Sequence, residues 1–105
     1  MLSSKQRAYL KSLASTMDTI LIVGKGGISP EVIKQADDAL AARELIKGKV
    51  LDTSPQNALE MAQEIAQETT SEVVQVIGAK FVLYRSRKKD PVIQLPRIKG
   101  KNEVK

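Results

Sequence analysis

A four-residue segment, Gly24-Lys25-Gly26-Gly27, carries the clearest chemical signal in this sequence. It follows residues 20–23, an apolar and largely β-branched run that favours a strand. It precedes Ser29 and Pro30, a pair typical of the first residues of a helix. A strand that leads through glycines into a helix N-terminus gathers backbone N–H groups at one point. This geometry favours an anion, most often a phosphate, and the lysine inside the turn indicates the same class of ligand.

Known phosphate-binding motifs differ in how well they match this turn. A P-loop does not fit, because the loop is too short and no hydroxyl residue follows the lysine. A dinucleotide fingerprint matches Gly24 and Gly26, but Ser29 stands where its last glycine or alanine belongs, and the chain has little room for a dinucleotide cleft. A G-x-x-G turn that approaches a nucleic-acid backbone needs only glycines and a cation, and it fits better. The structural alternative is a tight strand-to-helix turn without a ligand, and the loop alone does not decide between the two.

The amino-acid composition limits the kinds of catalytic and metal-binding site that the chain could form. The chain has 105 residues, the size of one domain, and it contains no cysteine and no histidine. A disulfide framework and a thiolate metal site are therefore excluded, and the commonest general base is absent. The paired aspartates Asp37 and Asp38 have no third ligand in view and indicate a solvated helix face. We expect a protein that is not an enzyme and that has no cofactor, no metal and no small-molecule substrate.

The sequence also indicates where in the cell the protein is expected. No apolar run approaches the roughly 18 residues that a membrane span requires. The first residues do not lead into the apolar segment of a signal peptide. We therefore expect a soluble, cytoplasmic protein that does not associate with membranes.

The net charge of +5 is unevenly distributed along the chain. Residues 1–78 carry 8 Lys and Arg against 10 Asp and Glu, a net charge of −2. Residues 79–105 carry 9 against 2, a net charge of +7. Such asymmetry indicates a polyanionic partner, and the alternative is a passive basic tail that aids solubility.

The periodicity of apolar residues predicts the elements that position this turn. They run in the order α-β-α-β-α-β-β, with helices at 3–15, 30–43 and 55–70, strands at 20–23 and 44–51, and a hairpin at 72–85 that turns at Gly78-Ala79. The β-α-β crossover predicts a parallel pair of strands, and the hairpin adds antiparallel pairing. The expected fold is a small α/β sandwich with a mixed four-stranded sheet. It forms one domain over residues 1–97, with a short ordered segment near 92–95 and a basic, disordered tail at 98–105.

The predicted helices and strands differ in the charge of their outer faces. The first helix has lysines and an arginine around its apolar stripe and no acidic residue, whereas the third has Glu60, Glu64 and Glu68 opposite its stripe. We expect the third helix to face away from any nucleic acid. Its buried stripe is predicted as Ala58, Leu59, Ala62, Ile65 and Ala66, and the apolar face of the hairpin as Val74, Val76, Phe81 and Leu83.

Four segments in this order resemble a known family. They are L-S-S-K-Q-R-A-Y-L-K-S-L-A, I-L-I-V-G-K-G-G-I-S, A-L-A-A-R-E-L-I-K and V-I-G-A-K-F-V-L-Y-R. Together they resemble the CRM (chloroplast RNA splicing and ribosome maturation) domain, in particular its stand-alone bacterial, YhbY-like form. The likeness runs from about Leu2 to Arg97. One departure is Gly48, which stands where a larger apolar residue is expected.

The resemblance implies an RNA-binding α/β domain similar to the C-terminal domain of bacterial translation initiation factor three. It also implies binding to large-subunit ribosomal RNA, or to the precursor particle that contains it, as an assembly factor. We expect the protein to be a monomer. The candidate RNA-binding residues are Gly24, Lys25, Gly26 and Gly27 of the turn, and Lys5, Arg7, Lys11, Lys80, Arg85, Arg87 and Lys88 of a basic surface. The alternative is a protein-interaction module that reaches the ribosome through a ribosomal protein, with a passive basic tail.

Overall fold

A computed structural model describes residues 2–54, 56–86 and 93 of the chain. Its elements are α1 (Ser4–Ala14), β1 (Leu21–Val23), α2 (Pro30–Arg43), β2 (Leu45–Val50), α3 (Ala58–Thr69), β3 (Glu72–Ile77) and β4 (Lys80–Tyr84). The strands form one sheet in the order β1-β2-β4-β3. β1 and β2 are parallel, and the other two pairings are antiparallel. The predicted α/β class, element order and mixed four-stranded sheet are confirmed.

Side-chain caps define where the helices begin. The Ser3 side chain accepts the N–H of Gln6, and the Gln6 side chain in turn accepts the N–H of Ser3, which forms a capping box. The Ser29 side chain caps α2 by accepting the N–H of Val32. The predicted start of the third helix at residue 55 is wrong, because the capping box that starts α3 uses Asn57 and its partner three residues later.

The sheet is covered differently on its two faces. Helices α2 and α3 cover one face and enclose the larger hydrophobic cluster, built on Leu21, Val23, Ala36, Leu40, Ile46, Val50, Met61, Ala62, Ile65, Phe81 and Leu83. Helix α1 packs on the other face and encloses a smaller cluster of Leu10, Ala14, Leu45, Val74, Val82 and Tyr84. We call these the covered face and the α1 face.

Gly48 departs from the expected apolar residue for a reason that the covered face makes plain. A Cβ added at Gly48 would lie 2.6 Å from Cε1 of Phe81 and closer still to its Cζ. The two residues are paired across β2 and β4, and the aromatic ring lies over the glycine. The space of the missing side chain is therefore filled from the neighbouring strand, and the packing of β2 is complete without it.

Two predictions about the core are wrong: the face of the hairpin on which Val74 lies, and the burial of Leu59. The ladder between β3 and β4 has a bulge between Val73 and Gln75, so Val74 packs under α1 while Val73 and Val76 contact the larger cluster. In α3 the buried stripe includes Met61, and Leu59 is 49% exposed.

The predicted span 44–51 has the second strand begin at Glu44, but the strand begins at Leu45. Glu44 caps the C-terminus of α2 with a φ of 67°, its N–H bonds to Leu40, and its residue is fully buried. Its carbonyl accepts the N–H of Arg85, and its carboxylate accepts the N–H of Ile93 at 3.1 Å. Ile93 also packs against the α1-face cluster. The rest of the predicted ordered segment near 92–95 and the predicted tail at 98–105 lie outside the described residues. No helix within the described part of the chain has the length and apolarity needed to cross a membrane.

Candidate nucleic-acid interface

The glycine segment forms a reverse turn directly after β1. The N–H of Gly27 donates to the carbonyl of Gly24 at 2.9 Å, and Gly27 adopts a φ of 66°, a backbone conformation that favours glycine. Lys25 and Gly26 occupy the two central positions and are exposed. No atom of the described structure lies within 4 Å of the position that a Cβ would take at Gly26. The tip of the turn is therefore open to close approach by a ligand.

The base of this turn is held firmly. The N–H of Leu51 donates to the carbonyl of Val23 at 2.8 Å, so the pairing of β1 and β2 continues to the first residue before the turn. A Cβ at Gly24 would lie 3.3 Å from Cδ1 of Leu51. A fixed base below an exposed lysine and an open glycine is the arrangement that a backbone-binding turn requires.

Strand alternation places three further lysines on the α1 face. Lys47 and Lys49 alternate along β2 with residues of the covered face, and Lys80 precedes Phe81 in β4. A cleft of about 260 Å³ opens between the end of α1 and the sheet. Its lining residues are Lys11, Ala14, Ser15, Lys47, Gln75, Ile77, Lys80 and Val82. The structure therefore brings the predicted residues Lys11 and Lys80 together, although they lie in different elements.

Lys47 has a structural partner. Its ammonium group donates to the carbonyls of Ala14 at 3.1 Å and Met17 at 3.4 Å, at the C-terminal end of α1. A cation at this position satisfies exposed carbonyls and complements the helix dipole. Lys47 and Lys49 were not among the predicted site residues. Their alternation against the apolar residues of β2 is the sequence signal that could have identified them.

The two described arginines of the predicted surface are bonded within the fold. Arg7 donates from Nη1 to the carbonyls of Val73 at 2.6 Å and Val74 at 3.2 Å, at the β3 bulge. Arg85 donates to the carboxylate of Asp37 at 2.6 Å and to the carbonyl of Thr69 at 2.8 Å. These bonds give both side chains a role in joining elements, whatever they contribute to a ligand.

Four of the predicted lysines, together with Lys49, have a different environment. Among residues 2–54, 56–86 and 93, the ammonium groups of five exposed lysines pair with no carboxylate; they are Lys5, Lys11, Lys25, Lys49 and Lys80. Arg87 and Lys88, also predicted, lie outside the described residues. An exposed lysine without a carboxylate partner keeps its full positive charge available to an anion.

The side of the molecule formed by α2 and α3 carries negative charge. The outer face of α3 exposes Glu60, Glu64 and Glu68, and α2 exposes Asp37 and Asp38. These helices cover the face of the sheet that α1 does not contact, so acidic and basic surfaces lie on opposite sides.

In the described part of the chain, no group of three acidic, cysteine or histidine side chains could hold a metal ion. Burial raises the pKa of Tyr84 above its ordinary value of 10.0, and the nearby carboxylate of Glu44 raises this pKa further. The phenol is therefore neutral at physiological pH.

Comparisons with known proteins show which family the chain resembles. A model of the CRS1/YhbY (CRM) domain matches residues 2–85. The Bacillus subtilis protein named "Probable RNA-binding protein YqeI" is 41% identical over 96 residues, which cover 91% of this chain and 100% of the relative. A Haemophilus influenzae protein named "RNA-binding protein" is 36% identical over 96 residues, covering 91% of this chain and 96% of the relative.

A solved structure is similar in both sequence and fold. The solution structure of the hypothetical protein SAV1595 from Staphylococcus aureus has 48% sequence identity and a TM-score of 0.77. The match covers 91% of this chain and 100% of SAV1595. The family match spans every described element and the glycine turn, and the relatives match over nearly their full length. This chain belongs to the CRS1/YhbY (CRM) domain family.

Proposed function

We propose that this protein binds RNA through the Gly24–Gly27 turn and the lysines of the α1 face. The observation that carries the proposal is a group of exposed lysines on one side of the sheet, beside a turn whose tip is open. These lysines pair with no carboxylate in the described part of the chain. RNA is a polyanion, and its backbone needs both close approach and positive charge. The names of the Bacillus subtilis and Haemophilus influenzae relatives support RNA as the partner.

The proposed RNA is ribosomal RNA of the large subunit, bound in its precursor particle by a protein that acts as an assembly factor in the cytoplasm. This finer assignment rests on the resemblance to the YhbY-like form of the CRM domain. Few aromatic side chains are present, so recognition relies on the RNA backbone and shape more than on extensive base stacking. Crosslinking in cells, followed by sequencing of the attached RNA, tests it. Recovery of sequences from large-subunit RNA supports the assignment, and their absence contradicts it.

Binding to protein-free ribosomal RNA over a range of salt concentrations tests the RNA-binding function itself. If four to six cations meet phosphates, the logarithm of the binding constant should fall against the logarithm of salt with a slope of roughly −3 to −5. A flat salt response would contradict the phosphate contacts.

The second candidate is a module that binds a basic ribosomal protein. The observation that favours it is the acidic outer face of α3, which also exposes Leu59. Salt-dependent binding to RNA without any protein separates the two functions, because a protein-docking module has no reason to bind bare RNA.

A further inference from the structure

Four exposed side chains form a continuous row across all four strands on the α1 face. Register pairs Ile22 with Lys49, Lys49 with Lys80, and Lys80 with Ile77. Each alternates along its strand with residues that contact the larger cluster, so all four lie on the opposite face. Neighbouring strands lie about 4.8 Å apart, so the row spans about 14 Å. Helix α1 packs over the other end of this face, where Leu45, Val82 and Tyr84 are buried.

The centre of the row is a pair of like charges. Residues directly opposite each other on antiparallel strands have Cβ atoms about 5 Å apart, and like charges in such a pair repel. Lys49 and Lys80 occupy such a pair, and no carboxylate in the described structure bonds to either ammonium group. An anion placed between them would convert this repulsion into attraction at both lysines. The pair is thus suited to a phosphate.

The ends of the row are apolar. Ile22 is 56% exposed and Ile77 is 63% exposed. The outside of an RNA duplex is dominated by phosphates and sugars, and its base faces are stacked inside. An unpaired nucleotide, by contrast, exposes a base face that can bury apolar surface. The row therefore has one isoleucine on each side of a lysine pair that can hold a phosphate. This order matches an unpaired strand better than a duplex.

Resting on the proposed function, we infer that a short unpaired RNA segment lies across this row. A phosphate sits between Lys49 and Lys80, and base or ribose faces contact Ile22 and Ile77. The row is continuous with the glycine turn, because Ile22 is followed by Val23 and then by the turn itself.

Paired variants test the apolar contacts. Ile22→Thr with Ile77→Thr keeps β-branched residues in the strands but removes apolar surface. We expect affinity for a short unstructured RNA to fall by about threefold to tenfold, less than the loss of aromatic stacking platforms causes. Affinity for the same strand paired in a duplex should not change. Leu59→Thr, at an exposed apolar position on the acidic side, is the matched control and should change neither.

The lysine pair has its own test. Lys49→Gln should reduce the salt slope for the unstructured RNA by about 0.7, the value for one phosphate contact on a single strand. The matched control is Lys34→Gln on α2, which is expected to leave the slope unchanged. Thermal melts of every variant show whether the fold is retained.

Three results would overturn the inference. If the row variants bind unstructured RNA like the parent while Lys25→Ala weakens binding, the row is not a site, although the RNA-binding function stands. If Lys49→Gln weakens duplex binding equally and the isoleucine variants change nothing, the occupant is a duplex. If the parent binds no RNA, the proposed function fails first and the row fails with it.

Discussion

The covered face and the α1 face of one sheet use alternate residues of the same strands for different purposes. On the covered face, Ile46, Gly48 and Val50 of β2 contribute to a core enclosed by two helices. On the α1 face, the residues between them are Lys47 and Lys49. One helix covers only part of this face, and the remainder is exposed. The larger part of the buried core lies on the covered face, so the α1 face can keep charged and apolar side chains exposed for a ligand.

A second contrast lies within the basic surface itself. Lys47 and Arg7 bond to backbone carbonyls and hold α1 against the sheet. Lys11 and Lys80 face the cleft without any partner among the described residues. A positive charge in the sequence therefore does not by itself identify a binding residue. Some basic side chains hold α1 against the sheet, and others are exposed to a ligand.

The largest expected effect is a difference in stability between variants of two neighbouring residues of β4, which lie on opposite faces of the sheet. Phe81→Ala should lower the free energy of unfolding by about 3–5 kcal/mol, because the ring is buried and fills the space above Gly48. Lys80→Ala should change the free energy of unfolding by less than about 0.5 kcal/mol, since its side chain is exposed. Denaturant titrations of both variants measure the difference. Equal losses would mean that the two faces do not divide stability and binding as described.

The next effect separates two glycines of the turn. Gly27→Ala should cost about 1 kcal/mol of stability, because alanine is disfavoured at a φ of 66°. Gly26→Ala should leave stability nearly unchanged, since the space around that position is open, and it should weaken RNA binding by blocking close approach of the backbone. Thermal melts beside binding curves test both. Unaltered RNA binding by a folded Gly26→Ala variant would indicate that the turn is only a connection.

The smallest expected effect concerns the acidic side. Replacing Glu60, Glu64 and Glu68 by glutamine should barely change RNA affinity, because these residues lie on the side away from the lysines. A small gain from reduced long-range repulsion is expected, and it should shrink at high salt. Replacing Lys11 and Lys80 by glutamine is the matched comparison and should weaken binding. A large loss of affinity in the folded glutamine variant would mean that RNA binds the acidic side of the molecule.

Local signals in the sequence were enough to predict much of this fold. Ser3 with Gln6, and Ser29 with Pro30, marked two helix starts by their capping chemistry. Gly78 marked the hairpin turn, and its φ of 58° is the conformation that such a turn requires. These features depend on residues close together in the chain. The position of the glycine turn after β1 was predictable for the same reason.

Features that depend on distant partners were not predictable from such signals. The bulge after Val73 moves Val74 to the other face, and nothing in the local alternation shows it. The bonds of Arg7 to β3 and of Arg85 to α2 join residues far apart in sequence. The row from Ile22 to Ile77 likewise exists only in the register of four strands. Alternation showed which way a lysine points, but not which lysine lies opposite it.

The most direct test compares the removal of one positive charge from the glycine turn with the removal of one from α2. Lys25 lies at the tip of the turn, and Lys34 is exposed on α2, where it pairs with Asp38. Binding of protein-free ribosomal RNA by the parent, Lys25→Ala and Lys34→Ala is measured over a range of salt concentrations, with thermal melts as the control for folding. The account predicts that Lys25→Ala weakens binding uniformly across RNA sequences, reduces the salt slope by about one unit or slightly less, and leaves stability nearly unchanged. Lys34→Ala should leave binding unaltered. If Lys25→Ala binds RNA like the parent, or if both lysine variants lose the same affinity, the glycine turn and the face beside it are not the RNA site.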